Sequence, residues 1–248
     1  MAAAGAEVIV GVLALQGSFR EHVRMVNKLD GASAIEVRTK EELSSVDGLI
    51  IPGGESTTMA LIAQEWGLLT ELQEFAKTGR PIWGTCAGLI FLAKNCTAGQ
   101  KEGGQALIGG LDVEVHRNFF GSQIHSFEAS LKCPDALPDA PGFDRTFRAV
   151  FIRAPGIVSH GEQVEVLGSY HLTSEEKKDI NLETVVVAVR QANLMATAFH
   201  PEITHDPRWH MLFIQMVTES VQSGKKGNHV TSKAARVVSA RHVDLPIY

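Results

Sequence analysis

The chain has 248 residues, 44% of them hydrophobic and 21% charged, the profile of a globular protein rather than a disordered or fibrous one. Lys plus Arg number 23 and Asp plus Glu 28, a formal charge of −5, which leaves no global basic field for holding nucleic acid. The three cysteines, Cys86, Cys96 and Cys133, are too few for a disulfide framework and fit a reducing compartment in which any one can be a free thiol.

In chain order, the apolar run Val8 to Leu15 reads as a first buried strand. It follows Glu7 with no Lys or Arg ahead of it, so it lacks the basic region of a secretion signal, and no stretch approaches the ~20 apolar residues of a membrane span. A cytoplasmic protein is expected. Phe19, Val23, Val26 and Leu29 recur at helical spacing after Gly17, and Leu49-Ile50-Ile51 reads as another buried strand ending at Pro52. Helices are predicted over Thr57 to Gln64 and Leu68 to Lys77, a strand through Ile82-Trp83, and a helix over Ala87 to Lys94 that carries Cys96 in its tail.

Leu111 to Val115, Phe127 to Leu131, Val150 to Arg153, Val164 to Leu167 and Val185 to Arg190 are strand-like without equally long helices between them. Pro134 to Pro141 reads as a surface loop, and a helix is predicted over Arg208 to Gln222 after Pro207. The expected fold is α/β: a three-layer, flavodoxin-like, mostly parallel sheet with helices on both faces and an antiparallel or mixed extension in the second half. Residues 1–222 form the expected domain. Residues 223–248 hold Lys225, Lys226, Lys233, Arg236 and Arg241 against Asp244 alone, which is +4 and leaves −9 for the rest. That tail reads as a solvated terminus or as a docking arm for an acidic partner.

Three segments carry chemistry. Gly84-Thr85-Cys86-Ala87-Gly88 has the G-x-nucleophile-x-G form of a strand-to-helix elbow. There the helix N-terminus lowers a thiol pKa and the backbone N–H of the next residue faces an oxyanion. Read alone, Cys86 is either that nucleophile or a small buried hydrophobe in a Gly-rich turn. His200 opens His200-Pro201-Glu202 after the apolar segment Ala196 to Phe199, and the two-residue spacing lets a carboxylate orient an imidazole base. Metal binding competes for this segment, because His205 and His210 follow closely, but no His-Glu-x-x-His helix is present. Pro52-Gly53-Gly54-Glu55-Ser56-Thr57 is an anion-facing strand end or a plain turn, with Ser56 or Thr57 as the helix cap.

Gly-Gly-Glu-Ser, the Cys elbow and a late His-Pro-Glu, in that order, resemble class I (triad-type) glutamine amidotransferases. Leu15-Gln16-Gly17, Arg20-Glu21-His22, Pro52 to Met59, Arg117-Asn118 with Phe120-Gly121, and Val150 to Pro155 look like the glutaminase subunits of pyridoxal 5′-phosphate synthases. The resemblance implies hydrolysis of L-glutamine to glutamate and ammonia with no cofactor. In it Cys86 attacks the amide, His200 relays the proton and Glu202 orients His200. Gly54 and Ala87 form the oxyanion hole, and Gly54, Glu55, Ser56, Arg117, Ile152 and Arg153 bind glutamine. A guanidinium suits the α-carboxylate of a free amino acid on chemical grounds as well. The resemblance further implies a hetero-oligomeric complex with a synthase subunit that takes the ammonia, with Gln16 and Arg20-Glu21-His22 near the contact. A glutaminase feeding imidazole glycerol phosphate synthesis or nucleotide amination, a catalytically silent scaffold, and a thiol peptidase are the alternatives.

Overall fold

The computed structural model describes residues 7–97, 104–120, 126–174 and 182–224. Gly121 and the basic tail beyond Gly224 lie outside them. The first half alternates strand and helix: β1 (Val8–Leu13), α1 (Phe19–Val26), β2 (Ala32–Val37), α2 (Lys40–Ser44), β3 (Gly48–Ile51), α3 (Ser56–Glu65), α4 (Leu68–Lys77), β4 (Ile82–Thr85) and α5 (Ala87–Leu92). The second half is mostly strand: β5 (Ala93–Thr97), β6 (Leu111–His116), β7 (Ser126–Lys132), β8 (Thr146–Ile152), β9 (Gly156–His160), β10 (Glu165–His171), β11 (Thr184–Gln191) and β12 (Leu194–Thr197). A 3-10 turn over Pro201–Ile203 leads to α6 (Arg208–Gln222). Among the described residues no helix is long and apolar enough to cross a membrane.

The main sheet runs β2-β1-β3-β4-β12-β11-β9-β6-β5, with β10 also on β11. The block β2-β1-β3-β4-β12 is all parallel. The pairs β12/β11, β11/β9, β9/β6 and β10/β11 are antiparallel, and β6/β5 is parallel again. This is the flavodoxin order with a mixed extension. Right-handed crossovers require the helix after β1 and those after β2 and β3 to lie on opposite faces, because the chain moves along the sheet in opposite directions. Accordingly α1 packs with α6 through His22 and His210, while α3, α4 and α5 cover the other face. The central strands β3, β4 and β12 are buried along their whole length, and Val10, Val12, Leu49, Ile50, Ile51, Ile82 and Trp83 are inaccessible to solvent, as continuous apolar runs require.

The hairpin β7-β8 forms a separate two-stranded sheet. Phe127 and Phe151 stack with centroids 4.6 Å apart, and Phe151 meets Phe199 at 5.9 Å, which fastens the hairpin to the end of β12. Buried Arg208 adds a second tie: it pairs with Asp206 and donates to the carbonyls of Asp144 and Thr146 at the hairpin's far end.

The predicted helix over Ala87 to Lys94 ends at Leu92, because Ala93 turns extended (ψ 150°) and begins β5, so Cys96 sits in a strand rather than a helix tail. The helix cap before α3 is neither Ser56 nor Thr57 but Glu55, whose carboxylate accepts from the N–H groups of Thr57 and Thr58. Residues 30–46, given no element from sequence, form β2 and α2. The strand expected over Val164 to Leu167 runs from Glu165 to His171.

Candidate active site

Brändén's rule for open α/β sheets places ligands beyond the carboxyl ends of the strands. Here the ends of β3, β4 and β12 bring Gly53-Gly54, Cys86 and His200 together. Cys86 has φ 47° and ψ −100°, a conformation that costs a non-glycine residue ~1–3 kcal/mol and persists only where its surroundings enforce it. They do so here through the Cys86 N–H, which donates to Thr197 O at 2.8 Å. The flanking glycines add the rest: a Cβ on Gly88 would lie 2.1 Å from Ile51 O, and one on Gly84 2.4 Å from Gly88 O. Helix α5 can approach β3 only with a bare Cα at these points, and that approach turns the thiol outward. Cys86 Sγ lies 3.9 Å from the carbonyl of Ile152.

His200 is fixed from three sides. Its N–H donates to Val150 O at 2.9 Å, and its ring lies against Gly53, where a Cβ would meet Cε1 at 2.2 Å. Its Nδ1–H donates to Glu202 Oε1 at 2.7 Å, an oxygen that also accepts the Ser18 hydroxyl at 2.6 Å. With Nδ1 committed, Nε2 is the nitrogen left to exchange a proton with Cys86. Burial alone would lower the His200 pKa, but Cys86 and the carboxylate of Glu202 outweigh it and raise it to about 10. Burial likewise pushes Glu202 upward, and His22, His200 and the Ser18 hydroxyl overcome it to hold the carboxyl at about 2. The pair is therefore built to carry opposite charges.

A cavity of about 200 Å³ opens over Cys86, lined by Gly54, Glu55, Ser56, Ala87, Ile90, Arg117, Asn118, Ile152, Arg153 and His200. It is smaller than the ~300–1,000 Å³ of pockets for drug-sized ligands, which suits a small metabolite. Every residue selected from sequence for catalysis, the oxyanion hole or glutamine binding lines it except Glu202, which stands behind His200. Four described non-glycine residues have positive φ, and three of them, Cys86, Asn118 and Arg153, line this cavity; such conformations concentrate where a site dictates the backbone. A second cavity, of about 330 Å³ around Arg190 and Glu219, lies at the opposite ends of the strands and contains none of these residues.

On the polar side, Arg117 pairs with Glu55 at 3.0 Å and donates to Gln105 Oε1 at 3.1 Å. Burial raises the Glu55 pKa, and the hydroxyl and N–H groups of Thr58 and Thr57 reverse this and hold it at about 2. Ser56 Oγ donates to Gln105 Oε1 at 2.9 Å. Among the described residues the Arg153 side chain has no hydrogen bond or ion pair, so this lining guanidinium is available to an anionic ligand.

Three polar residues were missed from sequence. Ser18 touches Glu202, Gln105 touches Ser56 and Arg117, and His210 stands one residue further back against His22, all from positions remote in the chain that only contacts across the fold reveal. Two of the residues expected near a partner make contacts within the chain. Gln16 exchanges two hydrogen bonds of 3.2 Å with the Glu55 backbone and clamps the Gly-Gly-Glu-Ser loop. His22 is fully buried, 3.5 Å from Glu202 Oε2, and points inward rather than to a partner. Of the histidines that suggested a metal, His210 hydrogen-bonds His22 at 3.0 Å. Among the described residues no group of three or more His, Cys, Asp or Glu could hold a metal ion.

The chain is 50% identical to a probable pyridoxal 5′-phosphate synthase subunit PDX2 of Arabidopsis thaliana, over 96% of this chain and 99% of that one. It is 48% identical to pyridoxal 5′-phosphate synthase subunit PdxT of Herpetosiphon aurantiacus, over 83% and 98%. A crystal structure of a glutamine amidotransferase, 42% identical, superposes with a TM-score of 0.68 over 84% of this chain and 98% of that one. The SNO glutamine amidotransferase family profile matches residues 12–219, and the chain belongs to that family.

Proposed function

We propose that this chain is the glutaminase subunit of a pyridoxal 5′-phosphate synthase, hydrolysing L-glutamine to L-glutamate and ammonia in the cytoplasm and handing the ammonia to a synthase subunit. The observation that carries this reading is the convergence of Cys86, His200 and Glu202 at the ends of neighbouring parallel strands, under a cavity that also presents Arg117 and Arg153.

In this reading the Cys86 thiolate attacks the side-chain amide carbon of glutamine. Negative charge moves to the amide oxygen, which the backbone N–H groups of Gly54 and Ala87 receive. Protonated His200 gives its Nε2 proton to the departing nitrogen, ammonia leaves, and a thioester on Cys86 remains. Neutral His200 then takes a proton from water, whose oxygen attacks the thioester, and glutamate and the thiol are released. Arg153 and Arg117 hold the α-carboxylate, while Glu55 meets the α-ammonium, and Ser56 and Ile152 complete the pocket. Residues 1–222 are the catalytic domain and 223–248 a basic tail. Exposed Arg20, at the start of α1, lies toward the synthase.

The full chain mixed with its synthase subunit should release glutamate from glutamine, and Cys86→Ala should abolish this while the fold is kept. Undiminished turnover in that variant would sink the triad. Failure of Cys86 to react with a glutamine-analogue electrophile, with and without the synthase, would favour a silent scaffold instead.

A further inference from the structure

Behind the triad lies a buried polar array that the mechanism above does not use. Glu202 Oε1 is saturated by His200 and Ser18, whereas Oε2 has no hydrogen-bond partner among the described residues. His22 Nε2 lies 3.5 Å from Oε2 and 3.2 Å from Thr85 Oγ1. His22 Nδ1 is 3.0 Å from His210 Nε2, and His210 Nδ1 has no hydrogen-bond partner among the described residues. Both imidazoles are inaccessible to solvent, and the edge of Trp83 packs on them, with centroids 5.5 and 4.9 Å away.

These contacts choose the tautomers. If His22 carried its proton on Nδ1, a lone pair would face the Glu202 carboxylate, and His210 would be left with a buried N–H lacking any acceptor. With the proton on Nε2 of both rings, His210 donates to His22, and His22 directs its N–H toward Thr85 and Glu202. Only an acceptor lone pair on His210 is then unused. Burial keeps both rings neutral, lowering the pKa of His22 and lowering that of His210 well below its ordinary value.

We infer that His22, backed by His210, is a positioning residue: a neutral imidazole donor that keeps Glu202 ionised and aimed at His200. The inference rests on the glutaminase reading for its consequence in turnover. The groups facing the array are few. Glu202 and His200 face it from the turn after β12, Glu21 from α1 itself and His210 from α6, while β4 contributes only the uncharged Thr85 and Trp83. Removing the His22 donor takes stabilisation from the Glu202 anion, so its pKa rises, and the pH at which the thiolate-imidazolium pair fails rises with it.

The test uses the full chain, alone and in complex with its synthase subunit. Iodoacetamide alkylation of Cys86 is followed against pH in the isolated chain, and kcat and KM for glutamine in the complex. In His22→Phe the acid limb of alkylation should move up by about one pH unit, with kcat down ~10- to 100-fold and KM within about twofold. His22→Gln, which returns an N–H, should bring the limb back toward native. Nitrogen-15 spectra of the native chain should show both rings neutral and protonated on Nε2 at pH 7. A limb unmoved in His22→Phe, or a His22 ring that is charged or protonated on Nδ1, would overturn the inference. Should His22→Phe fail to fold, His210→Phe probes the array from behind and must shift the limb in the same direction by a smaller amount; no shift overturns it. If the native complex releases no glutamate, the glutaminase reading falls, while the alkylation limb still decides the role of His22.

Discussion

The two halves of the sheet contribute to the site in different ways. In the parallel block the reactive groups sit directly at strand ends: Gly53 and Gly54 follow β3, Cys86 follows β4, and His200 stands three residues beyond β12. Their positions are fixed by backbone hydrogen bonds and by glycines with no room for a Cβ. The mixed extension supplies Arg117 and Asn118 from the turn after β6, and the β7-β8 hairpin supplies Ile152 at the end of β8 and Arg153 just beyond it, with Asn118 and Arg153 at positive φ. The block is thus a rigid frame for proton transfer and bond making, while the extension and the separately mounted β7-β8 hairpin together form a recognition wall. The extension is joined to the frame by the β12/β11 ladder, and the hairpin by the Phe151–Phe199 contact and the Arg208 tie.

Substitutions that respect this division should separate chemistry from recognition. Cys86→Ala is expected to lower kcat by about 10⁴- to 10⁶-fold with its melting temperature retained, read by glutamate release and calorimetry. Gly53→Ala would push a methyl into the His200 ring and displace it by an ångström or more, costing at least ~10²-fold in kcat with KM nearly unchanged. Phe151→Ala, which loosens the wall from the frame, should cost ~3–5 kcal/mol of stability in denaturant unfolding and raise KM. A Phe151→Ala variant in which kcat fell with KM unchanged would show that the hairpin is not a separate recognition wall.

Glu202→Gln addresses the frame's charge. The native Glu202 pKa of about 2 lies below its ordinary value of 4.5, so its contribution to stability is present above pH 4.5 and lost as pH falls toward 2. The difference is on the order of 3 kcal/mol. The decline in melting temperature over that window should be shallower in Glu202→Gln than in the native protein. An equally steep decline would place the acid-labile group elsewhere. The smallest effect is expected for Arg153→Ala, which should raise KM about 10- to 100-fold while the alkylation rate of Cys86 stays native.

The same division governs what the sequence reveals. Buried parallel strands are continuous apolar runs, so β1, β3 and β4 are legible. So is the elbow, because its glycines are demanded by local geometry. Strand β2 was not, since Ala32 to Val37 lies at the edge of the sheet and carries Ser33 and Glu36, which break the apolar run. Cys86, His200 and Glu202 could be chosen from local spacing. Ser18 and His210 could not, because their contacts with Glu202 and His22 span 184 and 188 positions and nothing adjacent in the chain marks a polar residue as buried. The Glu55 cap was missed because glutamate is outside the usual set of capping residues, and here its longer side chain folds back to reach the same N–H groups.

Strand β12 is the last of the described strands in the chain, yet it lies between β4 and β11. During synthesis the strands β2-β1-β3-β4 and the extension are therefore complete before the strand that joins them exists, each with an unpaired edge exposed. Cys86 waits through that interval without the backbone acceptor at Thr197 and without His200. The strand that closes the sheet is also the one that delivers the base, so a nascent chain cannot acquire a reactive thiol pair ahead of a closed fold.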